Sequence, residues 1–226
     1  NSGRGPSKRC KNSPDQKYIF VVNELPDSIS IISLKNLKII KDIPVGFVPH
    51  NIVFSPDSTK AYVTVQGEDK IVVIDTNTLK KIGEILDSNG PHNLDITNDG
   101  KLLFVANAAS SDVAVINTTS LQVIKKIPVC MGHHGIDLSP DNKWVYVSGI
   151  GSDKLNIINE NKQEIVKQII VDKGPHGIRT SSDGKYLYVG ITTKNKIVVI
   201  DTNNLKIIKQ IPTGNTPFWI AVSGSH

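Results

Sequence analysis

A nine-residue segment recurs along this chain at a spacing of 42 residues. It reads PHNIVFSPD at 49–57, PHNLDITND at 91–99, HHGIDLSPD at 133–141 and PHGIRTSSD at 175–183, and PFWIAVSG at 217–224 continues the series. Aspartates and aromatic residues keep the same register: Asp15, Asp57, Asp99, Asp141 and Asp183, and Phe20, Tyr62, Phe104, Tyr146 and Tyr188. A period of this length is the signature of a repeat fold, so it constrains the architecture more than any other feature.

Each period contains four short runs rich in valine, isoleucine and aromatic residues. In one unit they are HNLDI at 92–96, KLLFVAN at 101–107, DVAVIN at 112–117 and QVIKKIPV at 122–129, separated by turn residues. No useful window has a helical apolar period. The pattern predicts an all-β protein, a β-propeller of four-stranded antiparallel blades. The recurring aromatics are interpreted as packing between blades, and Asp57, Asp99, Asp141 and Asp183 as turn residues.

The repeats predict five blades. Two segments, 8–15 and 218–224, align with the innermost strand of the first blade, and only one of them can fill it in a closed ring. Because FWIAVSG alternates like a buried strand and KRCKNSPD is charged, we expect the C-terminal strand to pair with residues 17–23 and close blade 1. Residues 1–16 then form a tail outside the ring, and 17–224 form one propeller. The alternative is a part of a larger ring, or closure by a second copy.

Composition narrows the classes of partner. The chain has 226 residues with 38% apolar content, and no apolar run approaches the roughly 20 residues that a membrane helix needs. The net charge is +5, but lysine supplies most of the positive charge and arginine occurs only three times. Since arginine is the better residue for bidentate phosphate recognition, nucleic acid is an unlikely partner. We expect no transmembrane segment and a monomer or weak homo-oligomer.

The segment 175–214, PHGIRTSSDGKYLYVGITTKNKIVVIDTNNLKIIKQIPTG, resembles the YVTN β-propeller repeat. The resemblance covers about residues 17–224 in five copies, whereas many members of that family have seven blades. It implies an extracytoplasmic location (periplasmic, secreted or cell surface), with the signal peptide absent from this chain. More distantly the repeat resembles the propellers of nitrous oxide reductase, whose copper cluster is held by histidines, and of cytochrome cd1, which holds haem d1.

One histidine of the repeat recurs in four consecutive units, at His50, His92, His134 and His176. Equivalent positions in a propeller lie around the central channel, so four imidazoles would surround one mouth of it. Imidazole is a common metal ligand, and this set predicts a copper or zinc site. The accessory candidates are His133, Cys130, Met131, Phe218 and Trp219. The competing interpretation is structural, with each histidine bonding to a neighbouring blade.

The remaining polar residues carry weaker signals. Cys10 and Cys130 fit no metal-binding spacing and could form one disulfide, or Cys130 could be a free thiol. Asp95, Asp137 and Arg179 share one register, and we favour pairing between blades over lining of the channel. No nucleophile elbow, phosphate loop, HExxH or CxxCH motif is present, so no catalytic residue is assigned.

Three functions follow from these observations. The first is an extracytoplasmic binding or scaffold protein with a histidine metal site and an unidentified protein or small ligand at the channel mouth. The second is an oxidoreductase with a propeller-bound copper or haem-like cofactor. The third and weakest is binding of nucleic acid or an anionic surface through the lysines.

Overall fold

The structure, a computed structural model, describes residues 7–86 and 88–223, apart from the side chains of residues 7, 8, 133 and 134. Five four-stranded antiparallel sheets make up almost all of it, and we call them blades 1 to 5 in chain order. The only helical elements in these residues are two 3₁₀ turns, Gln66–Glu68 and Thr192–Lys194. Nothing in the described ranges forms a helix long and apolar enough to cross a bilayer.

Each blade contains four strands in sequence order. The strands are, for blade 1, β1 Ser7–Asn12, β2 Tyr18–Asn23, β3 Ser28–Ser33 and β4 Lys38–Pro44; for blade 2, β5 Pro49–Phe54, β6 Lys60–Val65, β7 Lys70–Asp75 and β8 Lys80–Ile85; for blade 3, β9 Pro91–Ile96, β10 Leu102–Asn107, β11 Asp112–Asn117 and β12 Gln122–Pro128; for blade 4, β13 His133–Leu138, β14 Trp144–Gly149, β15 Lys154–Asn159 and β16 Glu164–Ile170; for blade 5, β17 Pro175–Thr180, β18 Tyr186–Ile191, β19 Lys196–Asp201 and β20 Lys206–Pro212.

Burial follows the position of a strand within its blade. The third strands are almost wholly buried and most of the second strands are too, because their valines and isoleucines pack against neighbouring sheets. The fourth strand is mostly exposed and rich in lysine, as expected for an edge that must not pair with another chain. Four of the five register aromatics, Phe20, Tyr62, Phe104 and Tyr146, have at most 1% exposure, which confirms their packing role.

The register aspartates act as turn residues, as predicted. In blade 2 the Ser55 hydroxyl donates to Asp57 Oδ1 at 2.6 Å, and the same carboxylate oxygen accepts the Thr59 amide at 3.0 Å. The bond recurs between Thr97 and Asp99 in the next blade. It recurs again in blades 4 and 5. Each carboxylate closes the turn from the first to the second strand, which is the ordinary use of an Asx side chain.

The chain divides into two compact units, Asn1–Ser110 with Ile116–Ile124, and Ser111–Val115 with Lys125–His226. In the first, β5 packs against β9 and also contacts β1. In the second, β13 packs against β17. Neighbouring blades within a unit therefore meet along their innermost strands, which are the strands that carry the repeated histidines.

The predicted closure of blade 1 is wrong. The edge of strand β2 is paired with β1, with Cys10 opposite Val21 and Lys11 opposite Phe20. The polar sequence does not prevent this, because an innermost strand is only partly covered and the Cys10 side chain is exposed. Residues 7–12 thus belong to blade 1 rather than to an external tail, and residues 1–6 lie outside the described part of the chain. Residues 218–222 form no strand.

Candidate functional site

The repeated histidines lie where the innermost strands depart from regular pairing. In β5 the register shifts between Pro49 and Ile52, and in β9 the pairing passes from Pro91 to Asn93 and skips His92. Such a bulge leaves a residue outside the ladder of hydrogen bonds. The backbone groups of the histidine are therefore available to bond with a neighbouring blade.

His50 uses this arrangement to bind blade 3. Its Nδ1 lies 3.3 Å from the backbone oxygen of His92, and the centres of the two imidazole rings are 3.7 Å apart with their planes tilted by 32°. A ring nitrogen that faces a carbonyl must carry the hydrogen, so the neutral tautomer of His50 has its proton on Nδ1. Both side chains are 8% exposed.

A hydroxyl on the second strand completes the contact. The amide of Asn51 donates to Thr64 Oγ1 at 2.9 Å, and that hydroxyl donates to the His92 oxygen at 2.9 Å. The His92 carbonyl thereby accepts from both the His50 ring and the Thr64 hydroxyl. We call this arrangement, a histidine ring and a hydroxyl on the carbonyl of the histidine 42 residues later, the inner-strand clasp.

Blade 4 repeats the hydroxyl half of the clasp. The Gly135 amide donates to Ser148 Oγ at 3.1 Å, and Ser148 donates to the backbone oxygen of His176. Thr64 and Ser148 were not singled out from the sequence. The signal that could have found them is a hydroxyl residue in an otherwise apolar second strand, two repeats apart in the same register.

His176 makes the ring half of the clasp with the C-terminal segment. Its Nδ1 lies 2.9 Å from the backbone oxygen of Phe218, and the two ring centres are 3.8 Å apart with a tilt of 32°. The Trp219 ring meets His176 edge-on at 5.2 Å. Phe218 therefore stands in the histidine register although its segment is not a strand, and His176 is only 1% exposed between these two aromatics.

The other predicted ligands are dispersed or undescribed. The side chains of His133 and His134 lie outside the described part of the structure. Met131 is 71% exposed, whereas Cys130 is half-buried, with Sγ 3.6 Å from Asn156 Oδ1. Among the residues whose side chains the structure describes, no group of three or more histidine, cysteine or acidic side chains could hold a metal.

The possible disulfide between Cys10 and Cys130 is not formed, since neither cysteine is bridged. The Cys130 thiol contacts amides instead: Gln168 Nε2 approaches Sγ at 3.7 Å and donates to Asn156 Oδ1 at 2.8 Å. Cys10 lies in β1 with its side chain exposed. Of the two alternatives, the structure shows the one in which the Cys130 thiol is not part of a disulfide.

The charged register is a joint between blades, as favoured from the sequence. Arg179 in β17 pairs with Asp137 in β13. The second oxygen of Asp137 accepts the Thr180 amide at 2.6 Å and the Thr180 hydroxyl at 2.7 Å. The Asp137 side chain is 7% exposed, so these donors replace the water it loses. The pair joins the innermost strands of blades 4 and 5.

Two family models each match a little more than half of the chain. The model for the cytochrome D1 heme domain matches residues 97–218, and the model for the seven-bladed β-propeller lactonases matches residues 2–128. The chain belongs to these β-propeller families. Its five described sheets make it a five-bladed member of the all-β propeller class.

Solved structures agree with that assignment. A chain of hydrazine synthase from Kuenenia stuttgartiensis superposes with a TM-score of 0.76 at 17% identity, covering 99% of this chain and 91% of the other. A functionally unknown protein from Desulfotomaculum acetoxidans DSM 771 gives 0.77 at 16%, covering 95% and 75%. At these identities the likeness shows the fold alone. No curated protein sequence matches the chain.

The histidines described here do not fit a haem-type group. An axial imidazole must present a ring nitrogen to an open slot that admits a large planar macrocycle. His176 is closed off by Phe218 and Trp219, and the rings of His50 and His92 cover each other. What these side chains do in this structure is hold adjacent inner strands together.

Proposed function

We propose that this protein is a non-catalytic binding or scaffold propeller that works outside the cytoplasm, with its histidine repeat serving as the joint between blades. The observation that supports it is the inner-strand clasp. The ring nitrogens of His50 and His176 both bond to the backbone oxygen of the residue 42 positions later. A repeated bond to a backbone atom is a structural use of the side chain.

The fifth register position supports the same conclusion. Phe218 stacks on His176 at nearly the distance and tilt with which His92 stacks on His50. A phenyl ring has no ligand nitrogen, so what the stacked positions share is a flat ring, with an accepting backbone oxygen at His92 and Phe218. Stacking of two aromatic rings adds about 1 kcal/mol beyond the area they bury.

Two of the loops that connect blades are anchored by hydrogen bonds and expose apolar side chains. In the first unit Asp27 Oδ1 accepts the Val48 amide at 3.0 Å, and Asp69 Oδ1 accepts the Gly90 amide at 2.7 Å. Beside these anchors Phe47 is 56% exposed and Leu86 is 64% exposed. Binding residues are commonly placed on loops that a rigid scaffold positions, so we assign the ligand or partner protein to these loops. The location outside the cytoplasm rests on the resemblance to the exported YVTN proteins.

The second candidate is a metal-dependent oxidoreductase. A histidine that ligates a metal usually donates its other ring hydrogen to a carbonyl or carboxylate. The bond from Nδ1 to a backbone oxygen is of this type, and in the neutral tautomer it leaves the lone pair on Nε2. The match of residues 97–218 to a heme-domain family also favours a redox role, although the described histidines do not fit a haem.

Elemental analysis of protein purified without chelator or affinity tag separates the two. We expect less than stoichiometric copper and zinc, no visible absorption band, and a lower thermal midpoint in His50→Phe and His176→Phe. In these variants the phenyl ring keeps the stacking, whereas the hydrogen bond from the histidine Nδ1 to the backbone oxygen is lost. Stoichiometric metal in the wild type that is lost in both variants would establish the second candidate instead.

A further inference from the structure

A groove of about 400 Å³ lies between blades 4 and 5, apart from the histidines. Its walls are two turns at equivalent positions, 139–143 and 182–185, and Thr202 and Asn203 line another side. Trp144 and Tyr146 supply its aromatic lining. All of these residues belong to the second unit. The volume falls in the range of about 300–1,000 Å³ that small-molecule sites occupy.

The hydroxyl of Tyr146 is the feature that points to a ligand. Tyr146 is fully buried and lines the groove, yet its hydroxyl has no hydrogen-bond partner among the described residues. For its repeat counterpart, Tyr62, an interaction with Thr118 partly offsets the rise in the phenol pKa that burial causes. Burial raises the pKa of the Tyr146 phenol well above its usual value, and no hydrogen bond offsets the effect. A buried hydroxyl left without a partner costs free energy that a bound molecule can recover.

The charges around the groove cancel. Two aspartates and two lysines alternate along its two turns: Asp141, Lys143, Asp183 and Lys185. Each carboxylate binds its own turn through Oδ1, where a serine hydroxyl donates at 2.6 Å. The second oxygen remains for the neighbouring lysine or for a ligand, as in the 3.4 Å contact between Asp183 Oδ2 and Lys185 Nζ. A site with no net charge does not select for an ion.

The groove therefore combines hydrogen-bond acceptors, ammonium donors, a buried hydroxyl and an indole. The Lys143 ammonium lies 4.9 Å from the centre of the Trp144 ring, which places a donor directly beside the aromatic wall. From this set we infer that the groove binds a small neutral polyhydroxylated molecule, a mono- or disaccharide. Its hydroxyls would pair with the carboxylates, the lysines and Tyr146, and its C–H groups would contact Trp144. This site is separate from the one under Proposed function, and its test does not depend on the histidines.

NMR titration tests the inference directly. The probe is a panel of glucose, galactose, N-acetylglucosamine and maltose added to isotope-labelled protein, and the reporter is the indole N–H of Trp144, assigned with the variant Trp144→Phe. We expect at least one sugar to shift this signal and Tyr146→Phe to weaken that binding about tenfold, the equivalent of one hydrogen bond. Tyr62→Phe is the matched control and should leave binding unchanged.

Thermal unfolding shows whether the variants are folded. Tyr146→Phe removes a hydroxyl with no partner, so its thermal midpoint should not fall, whereas Tyr62→Phe removes a hydroxyl that interacts with Thr118 and should lower the midpoint. The inference is overturned if no sugar in the panel shifts the Trp144 signal, or if Tyr146→Phe binds as tightly as the wild type. It is also overturned if glucose 6-phosphate binds much more tightly than glucose, since the groove would then select for charge.

Discussion

The joint between blades 2 and 3 and the joint between blades 4 and 5 perform the same task with different chemistry. In the first, Asn51 Nδ2 donates to Asn93 Oδ1 at 2.7 Å across the two innermost strands. In the second, the same register holds Gly135 and Gly177, which have no side chain to pair. A repeat can therefore keep one histidine and one fold while the residue beside the histidine determines how the blades meet.

The glycines are required by the distance between the strands. A Cβ on Gly135 would lie 2.5 Å from both the His176 backbone oxygen and Ser148 Oγ, and a Cβ on Gly177 would lie 2.5 Å from the Phe218 oxygen. At this joint the neighbouring backbone occupies the space that an asparagine side chain needs. The ion pair of Asp137 and Arg179, two positions further along the strands, supplies the polar contact that the amides supply at the other joint.

The largest expected effect comes from adding that Cβ. Gly135→Ala should lower the free energy of unfolding by about 3 kcal/mol, because overpacking against a backbone oxygen cannot be relieved by rotating a side chain. Chemical denaturation measures the loss. Gly214→Ala is the control, since a Cβ there meets nothing within 4 Å. If both variants are as stable as the wild type, the glycines are not what allows the close approach.

The second prediction removes one member of the ion pair. Arg179→Met should cost about 2 kcal/mol, because it removes the positive charge that faces the buried Asp137 carboxylate. Lys185→Met removes an exposed pair with Asp183 and should leave the free energy of unfolding nearly unchanged, because water screens the two charges. Equal changes in the free energy of unfolding for the two variants would mean that burial does not strengthen the pair of Asp137 and Arg179.

The third prediction separates the two donors of the clasp in blade 2. Thr64→Val should cost about 1.5 kcal/mol and His50→Phe about 1 kcal/mol, since each removes a buried hydrogen bond to the same carbonyl. The double variant should cost more than the sum, because the His92 carbonyl then has neither donor. Strict additivity in a double-mutant cycle would show that the two bonds do not share their acceptor.

Much of the architecture could be predicted from the period alone. The spacing of 42 residues located the strands, the aspartate turns and the buried aromatics, because each depends on contacts within one repeat or with its neighbour. The pairing of Asp137 with Arg179 was also accessible, since opposite charges share one register on strands that pack together. These features depend on local patterns that repetition makes visible.

The closure of blade 1 and the clasp were less accessible. The polarity of residues 8–15 favoured a tail, but an innermost strand tolerates polar side chains because one side of it is open. The better signal was the pair Ser13 and Asp15, whose 2.6 Å bond repeats the turn of the other blades. The clasp depends on a bulge that turns a backbone oxygen toward the next blade, and no residue type encodes that rotation.

The smallest expected effect compares the turn carboxylates of the same two joints. The pKa of Asp57 is lowered from its usual 3.8 chiefly by the Ser55 hydroxyl. For Asp141 burial acts first and raises the pKa, and the bonds from Ser139 and the Lys143 amide outweigh it. Both carboxylates therefore stabilise the fold above their unfolded pKa, and that contribution is lost as the pH falls through the lowered folded values.

Removing the serine hydroxyls separates these causes. Ser55→Ala should return the Asp57 pKa toward 3.8. Ser139→Ala should raise the Asp141 pKa by more than Ser55→Ala raises that of Asp57, because burial then raises the Asp141 pKa with one fewer hydrogen bond to lower it. NMR titration of the two carboxyl groups measures both values. The thermal midpoint of the wild type should fall as the pH drops below about 4. The midpoint of each variant should fall by less than that of the wild type over the same pH range. If Asp57 in Ser55→Ala and Asp141 in Ser139→Ala have the same pKa, burial does not distinguish the two turns. The difference between blades 2 and 3 and blades 4 and 5 is then confined to their innermost strands.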